Sequence, residues 1–234
     1  MNNISYYRIM NNDAKEHDVC PLKWDCLHCD RALCLRVVGV ADFPSIHGHF
    51  KILAFTNTKD KKDHIMVVKG DVSKKENVLT RIHSSCLTGD VFGSLRCDCR
   101  FQLEESLKRI GTEELGVVLY MQQEGRGIGL QNKIRAYMLQ DTGLDTYDAN
   151  VFLGFKPDER QYEIAAAMLT KLEIKSIRLL TNNPVKIREL EKYNINIKER
   201  VKLEVQVNEY NRSYLLTKKK RLGHLLSLND TRNV

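Results

Sequence analysis

Gly116-Val117-Val118-Leu119-Tyr120-Met121-Gln122-Gln123-Glu124-Gly125-Arg126-Gly127-Ile128-Gly129 is the stretch on which the fold turns. Its first six residues form an apolar run of the length and composition of a fully buried strand. A Gly-rich loop follows. Beyond it, from Ile128 to Asp141, the apolar positions Ile134, Tyr137 and Met138 recur at helical spacing, and Gly143 sits where a helix C-cap belongs. The pattern continues downstream. Pro157-Asp158-Glu159 reads as a helix start with acids in the first turn, and the helix runs through Ala165, Met168, Leu169 and Leu172. Ser176 to Leu180 reads as a strand, Asn183-Pro184 as the cap of a helix reaching about Tyr193, and Val201 to Val207 as a late strand. Upstream, Leu35 to Val40, Phe50 to Phe55 and Ile65 to Val68 read as short strands. The expected class is α/β: a layered α/β/α domain with a mixed sheet and a strand-rich N-terminal half. Ligands are expected at the loops that follow the strands.

The composition is that of an ordinary globular chain. Among 234 residues, 42% are hydrophobic and 29% charged, which excludes a disordered chain, and the length supports a core without disulfides. No apolar run approaches the roughly 18 residues of a membrane span, so no membrane partner is expected. Met1 to Met10 lack the apolar core of a secretory signal. The expected compartment is the cytoplasm, where clustered cysteines more often bind metal or react than form disulfides. The formal net charge of +7 suits an anionic partner, either nucleic acid or a phosphorylated small molecule.

Four constellations carry chemistry. Cys86, Cys97 and Cys99 have C-x10-C-x-C spacing, which can bring three soft ligands to one ion. Zn²⁺ is the natural guest, and three protein ligands leave the fourth position open, the catalytic pattern. The alternative is ordinary thiols. The loop Gln122 to Gly129 offers backbone amides to an anion ahead of a helix, but it lacks both the dinucleotide fingerprint and a Walker lysine. There Glu124 can accept donors from a guanine edge, and Arg126 can bind phosphate. Thr181-Asn182-Asn183-Pro184 with Lys186 places a cation at a helix N-terminus, where it opposes the dipole unless an anion relieves it. Asp158 and Arg160 can project into one pocket. A further set, Cys20, Cys26, Cys29 and Cys34, could hold a second, structural metal within a Cys-rich extension spanning 1–36. The run Lys218-Lys219-Lys220-Arg221 reads as a solvated surface segment, with a phosphate or nucleic-acid contact as the alternative.

Taken together, these motifs resemble GTP cyclohydrolase II, the family that opens riboflavin synthesis. The resemblance rests on Arg81 to Asp90, Ser94 to Cys99, Gln123 to Leu130, Asn132 to Tyr137, Leu153 to Phe155 with Asp158 to Arg160, and Leu179 to Pro184 with Lys186. It covers residues 37–226, leaving 227–234 as a tail. It implies hydrolysis of GTP to formate, pyrophosphate and a diaminopyrimidinone, with one catalytic Zn²⁺ per chain on Cys86, Cys97 and Cys99 and Mg²⁺ on the phosphates. A homodimer is implied. The GTP-contacting positions would be Arg81, Ile82, His83, Ser84, Ser85, Gln102, Glu124, Gly125, Arg126, Thr146, Thr181 and Lys186. Asp158 would be the base, Arg160 the nucleophile at the α-phosphate or a stabiliser of the transferring phosphate, and Tyr137 a proton donor or positioning group.

Two departures stand out. Arg100 follows Cys99 where the family usually has Gly, and the Cys-rich extension has no counterpart. Thirty-six residues are too few for a dihydroxybutanone-phosphate synthase segment, so a monofunctional enzyme is expected. The competing expectations are a relative that opens the imidazole but retains the formyl group, and a zinc-containing nucleic-acid-binding protein. Aromatics at 7% and the lack of a basic–aromatic stripe weigh against the latter, so no nucleic-acid partner is expected.

Overall fold

In the computed structural model, which describes residues 33–203 and 206–228, the run Gly116–Met121 is the strand on which the layers are organised. Seven strands form one sheet: β1 Leu35–Ser45, β2 Gly48–Asn57, β3 His64–Lys69, β4 Val78–Ser84, β5 Gly116–Met121, β6 Ile177–Leu180 and β7 Ile197–Val201. Their spatial order is β1-β2-β3-β5-β4-β6-β7. The first three strands and β5 pair antiparallel, whereas β5, β4, β6 and β7 pair parallel, so the sheet is mixed as expected.

Helices cover both faces of this sheet. Side chains alternate along β5 because the strand period is two. Val117, Leu119 and Met121 point into one core, which packs on helix α4, Glu163–Lys171, through Ile164, Ala165, Met168 and Leu169. Val118 points into a second core with Leu79, Leu180 and Ile110, the last from helix α1, Cys99–Thr112. The remaining helices are α2 Gly129–Asp141, α3 Thr146–Phe152, α5 Pro184–Glu191 and α6 Arg212–Leu222. The architecture is a layered α/β fold.

Several local expectations need correction. The chain does not enter a helix at Pro157. Asp158 and Arg160 lie in an extended loop, and α4 begins at Glu163. The late strand lies at Ile197–Val201, earlier in the chain than the expected Val201–Val207, of which residues 204 and 205 lie outside the described residues, and it pairs with β6 through Ile197 and Glu199 to Val201. The basic run closes α6, with Lys220 and Arg221 exposed as expected of a surface segment, but Lys218 is buried. The cap at Asn183 holds: its side-chain oxygen accepts the Val185 amide at 3.0 Å, with Pro184 at the first helical position. Of the N-terminal cysteine set, Cys20, Cys26 and Cys29 lie outside the described residues.

Candidate active site

The parallel strands β5, β4, β6 and β7 all end on the same edge. The chain reaches β5 on one side of β4 and β6 on the other, so the carboxyl ends of β4 and β6 form a topological switch point, where α/β sheets bind ligands. A cavity opens there. β4 and the two residues after it send Arg81, His83, Ser84, Ser85 and Cys86 into it; the loop after β5 sends Gln123, Glu124, Gly125 and Arg126; the loop after β6 and the first turn of α5 send Thr181, Asn182, Asn183 and Lys186.

At one end of this cavity the sulfurs of Cys86, Cys97 and Cys99 lie within 4.8 Å of one another, with Cys86 and Cys97 3.8 Å apart. The π-helical turn Leu87–Val91 carries the chain between them. Gly89 in that turn presses against the cluster: a Cβ there would stand 2.9 Å from the Cys97 sulfur and 3.0 Å from that of Cys86. The space is a cradle of ion size. Protonation supports the same fit. Hydrogen bonds from Cys97 and Cys99, joined by the Lys133 ammonium, hold the Cys86 thiol well below its ordinary range. That charge in turn pushes Cys97 up to about 11 and raises Cys99. Without a cation the three cannot ionise together, and a divalent ion would replace their protons. Three thiolates with an open fourth position suit a soft tetrahedral ion.

Lys133 bridges the cluster and the Gly-rich loop. Its ammonium donates to the Cys86 sulfur at 3.0 Å and to Glu124 Oε1 at 2.8 Å. Glu124 also accepts the Gly125 amide and, at 2.6 Å through Oε2, the Leu87 amide, which leaves lone pairs for a further donor. The loop reaches this shape only because Gly125, Arg126, Gly127 and Gly129 all take positive φ. At Gly127 a Cβ would meet Glu159 at 2.9 Å. Arg126, a non-glycine residue at φ +60°, is strained, as residues held at functional sites often are.

Away from the sulfurs the cavity is cationic. Buried Arg81 donates to the Leu180 carbonyl at 3.0 Å and to Gln102 at 2.5 Å, and burial pulls its pKa down to about 10. Lys186 donates to the Ile82 carbonyl at 2.6 Å, and burial lowers its pKa as well. Arg160 faces the cavity, gripped from behind by a two-pronged contact with Asp158, whose Oδ1 takes Nε at 2.8 Å. Burial opposes charge on both partners, but their pairing outweighs it: Asp158 is held below the usual carboxylate range and Arg160 is pushed up. The Nε of Arg81, the hydroxyls of Ser84 and Ser85 and one terminal nitrogen of Arg126 are buried with no hydrogen-bond partner among the described residues. Such groups call for a polar ligand.

Of the sequence-predicted residues, Tyr137 lines the cavity, its hydroxyl 3.3 Å from Thr88 Oγ1, and burial raises its pKa. Thr146, the first residue of α3, lines it too. His83 stacks on Tyr120, and its Nε2 meets Asp90 at 3.1 Å. Ile82 is a core side chain that contributes its backbone carbonyl. Asp158 stands behind Arg160 rather than on the cavity wall. Arg100 turns away to pair with Glu104 at 2.8 Å, so the cation beside Cys99 does not enter the site. Sequence reasoning missed Lys133, Arg96, Tyr214 and His224, all on the wall, and gave Lys218, also on the wall, only as a residue of the basic run. Lys133, Ala136, Tyr137 and Gln140 recur at helical spacing along α2, a stripe that could have revealed Lys133.

Comparison with known proteins agrees with this geometry. The sequence model of GTP cyclohydrolase II matches residues 36–202. The chain is 54% identical over 192 residues to the GTP cyclohydrolase-2 of Tolumonas auensis, covering 82% of this chain and 98% of that protein. It is 51% identical over 197 residues to the GTP cyclohydrolase-2 of Haemophilus influenzae, covering 84% and 91%. It is 56% identical over 191 residues to the riboflavin biosynthesis protein RibBA of Endomicrobium trichonymphae; that match covers 82% of this chain and 47% of that longer protein, so the chain spans about half of it. With the family model matching well over half of its residues, the chain belongs to the GTP cyclohydrolase II family.

Proposed function

We propose that the chain hydrolyses GTP to 2,5-diamino-6-(5-phospho-ribosylamino)pyrimidin-4-one, formate and pyrophosphate, the first step of riboflavin biosynthesis. The observation that carries this reading is a three-sulfur cradle at one end of a cavity whose remaining wall is cationic. That layout fits one ligand with a ring to be opened at one end and a polyphosphate at the other.

Cys86, Cys97 and Cys99 would hold the zinc, which when bound would supply Lewis acidity able to activate water near neutral pH. The chain's own residues do the rest. Glu124, its carboxylate fixed by Lys133 and two backbone amides, orients the guanine edge. Ser84, Ser85, Arg81, Gln102, Arg126, Thr181 and Lys186 receive the ribose and phosphates. Thr146 closes the wall. Tyr137, kept protonated by burial, donates a proton near the opening ring. Arg160 meets the α-phosphate as a cation. Its raised pKa supports transition-state stabilisation; attack by Arg160 itself would need Asp158, its hydrogen-bonded neighbour, to take the proton. Mg²⁺ enters as the counter-ion of the triphosphate, because among the described residues Glu124 is the sole carboxylate of the lining and is already engaged.

We assign catalysis to residues 37–226. The enzyme is read as a cytoplasmic homodimer whose thiols stay reduced. Exposed Val91, Phe92 and Leu95 beside the cradle, and Leu130, Ile134 and Met138 along α2, support a dimer. These two stretches are tied together by the Arg96–Asp141 ion pair. Among the described residues no helix is long and apolar enough to cross a membrane. The cations converge on a cavity, which favours a nucleotide over a nucleic-acid duplex. Mass analysis of the product from GTP and Mg²⁺ tests the reading. The deformylated pyrimidinone is expected, and the formyl-bearing product would identify the formyl-retaining relative instead.

A further inference from the structure

Helix α6, Arg212–Leu222, lies beyond the stretch matched by the family model, yet it forms part of the cavity wall. Both of its flanks are fastened. On one side Arg221 forks onto Asp148 at 2.7 and 2.9 Å and reaches Asp145, the cap of α3, at 2.8 Å. On the other, Gly223 at φ +66° turns the chain back, and the Leu225 amide donates to the Asn182 carbonyl at 2.8 Å. The C-terminal end of the helix is therefore held between α3 and the loop after β6, and His224 follows it into the cavity.

The inner face of α6 presents Tyr214 and Lys218, one helical turn apart. The Lys218 ammonium sits 4.4 Å from the Tyr214 ring centroid and donates to Asp98 Oδ1 at 2.7 Å. The other oxygen of Asp98 accepts from Gln102, which in turn accepts from Arg81. One buried carboxylate, set between two of the three cradle cysteines, thus positions two cavity cations. An ammonium has three donors, and Asp98 uses one. Arg81, Arg126, Arg160, Lys186 and Lys218 put five basic side chains at this end of the site, against the carboxylates of Asp98 and Asp158. An enclosed excess of this sign calls for a multiply charged anion.

We propose that α6 is part of the substrate site and that Lys218 is a further phosphate-binding residue, its ammonium positioned by Asp98 and Tyr214. The inference rests on the reading of the substrate as a nucleoside triphosphate. It is tested with GTP and, separately, with inorganic triphosphate as the probe. Lys218→Met is expected to raise both the KM for GTP and the inhibition constant of inorganic triphosphate about 10- to 100-fold, the range of one lost charge-assisted contact. Bound zinc is expected to be unchanged. Lys218→Arg should restore most of both constants. A purely structural ion pair would lower thermal stability and leave the triphosphate constant unmoved, and that result overturns the proposal. Because Lys218→Met leaves Asp98 buried without its cation, hydrogen exchange on the unaltered protein provides a second measurement. Inorganic triphosphate should slow amide exchange across 212–222 more than across 163–171, and equal slowing overturns the proposal. Failure of the unaltered protein to turn over GTP would overturn the functional reading alone, because the triphosphate measurements stand without it.

Discussion

Gly89→Ala isolates the cradle from everything around it. Gly89 does not need glycine's backbone freedom, since its φ is not among the positive values. The effect of a methyl group there is therefore spatial. The added carbon would stand 2.9 Å from the Cys97 sulfur, 3.0 Å from the Cys86 sulfur and 3.1 Å from the Cys99 Cβ. Non-bonded heavy atoms sit comfortably at about 3.5–4.0 Å. Each neighbour must therefore retreat by roughly 0.5–1 Å. A metal site tolerates ligand displacements of about 0.2 Å. The retreat exceeds that several-fold for two of the three sulfurs at once. Zinc affinity should fall at least about 10- to 100-fold, the scale of a disturbed ligand environment. The overpacking itself costs about 1–3 kcal/mol of folding stability. The assay is competition for zinc against a chromophoric chelator, with circular dichroism to confirm the fold. A folded Gly89→Ala protein that holds zinc as tightly as the unaltered chain would refute the cradle.

Other perturbations separate the remaining parts of the site. Cys97→Ser should lose zinc and formate release while pyrophosphate release persists, read by parallel assays of the two products; an unchanged formate rate would remove Cys97 from the metal site. Asp158→Asn frees the Arg160 guanidinium from its fork and should cut kcat by about 100-fold or more, with zinc content intact. His224 is held down to about 2 by burial first and then by Lys218, Arg160, Arg126 and Lys186. Its folded pKa thus lies below its unfolded value near 6.5, so the unfolded chain binds the extra proton, and stability falls as pH drops below about 6.5. At pH 5.5 the loss should be about 1 kcal/mol in the absence of substrate, and His224→Asn should remove that portion of the acid sensitivity in urea titrations; an identical pH profile in the variant would contradict it.

The sequence was legible where local chemistry and tertiary structure agree. Gly116–Met121 is apolar because both faces of β5 are covered, and Asn183-Pro184 caps a helix by a bond within its own turn. The three cysteines could be grouped from spacing together with the family resemblance. Legibility failed where a partner distant in sequence decides. Val78–Ser84 includes Arg81 and His83, polar residues that hide a buried strand because their partners are Asp90, Gln102 and the Leu180 carbonyl. Asp158 resembled a helix-capping acid, yet its oxygens are taken by Arg160. Lys218 sat within four consecutive cations, a run without period. Only α6 and the buried Asp98, 120 residues away, distinguish it from its exposed neighbour Lys220.

The central claim is that the cysteine cradle and the cationic cavity act on one molecule of GTP. Its most direct test is the number of formate and pyrophosphate molecules released per GTP consumed, measured on the purified chain with Mg²⁺, then after zinc is stripped, and again after zinc is restored. One formate and one pyrophosphate per GTP are expected, with formate lost on stripping and recovered on restoration. Formate release that is indifferent to zinc, or no release of either product from the zinc-replete chain, would contradict the account.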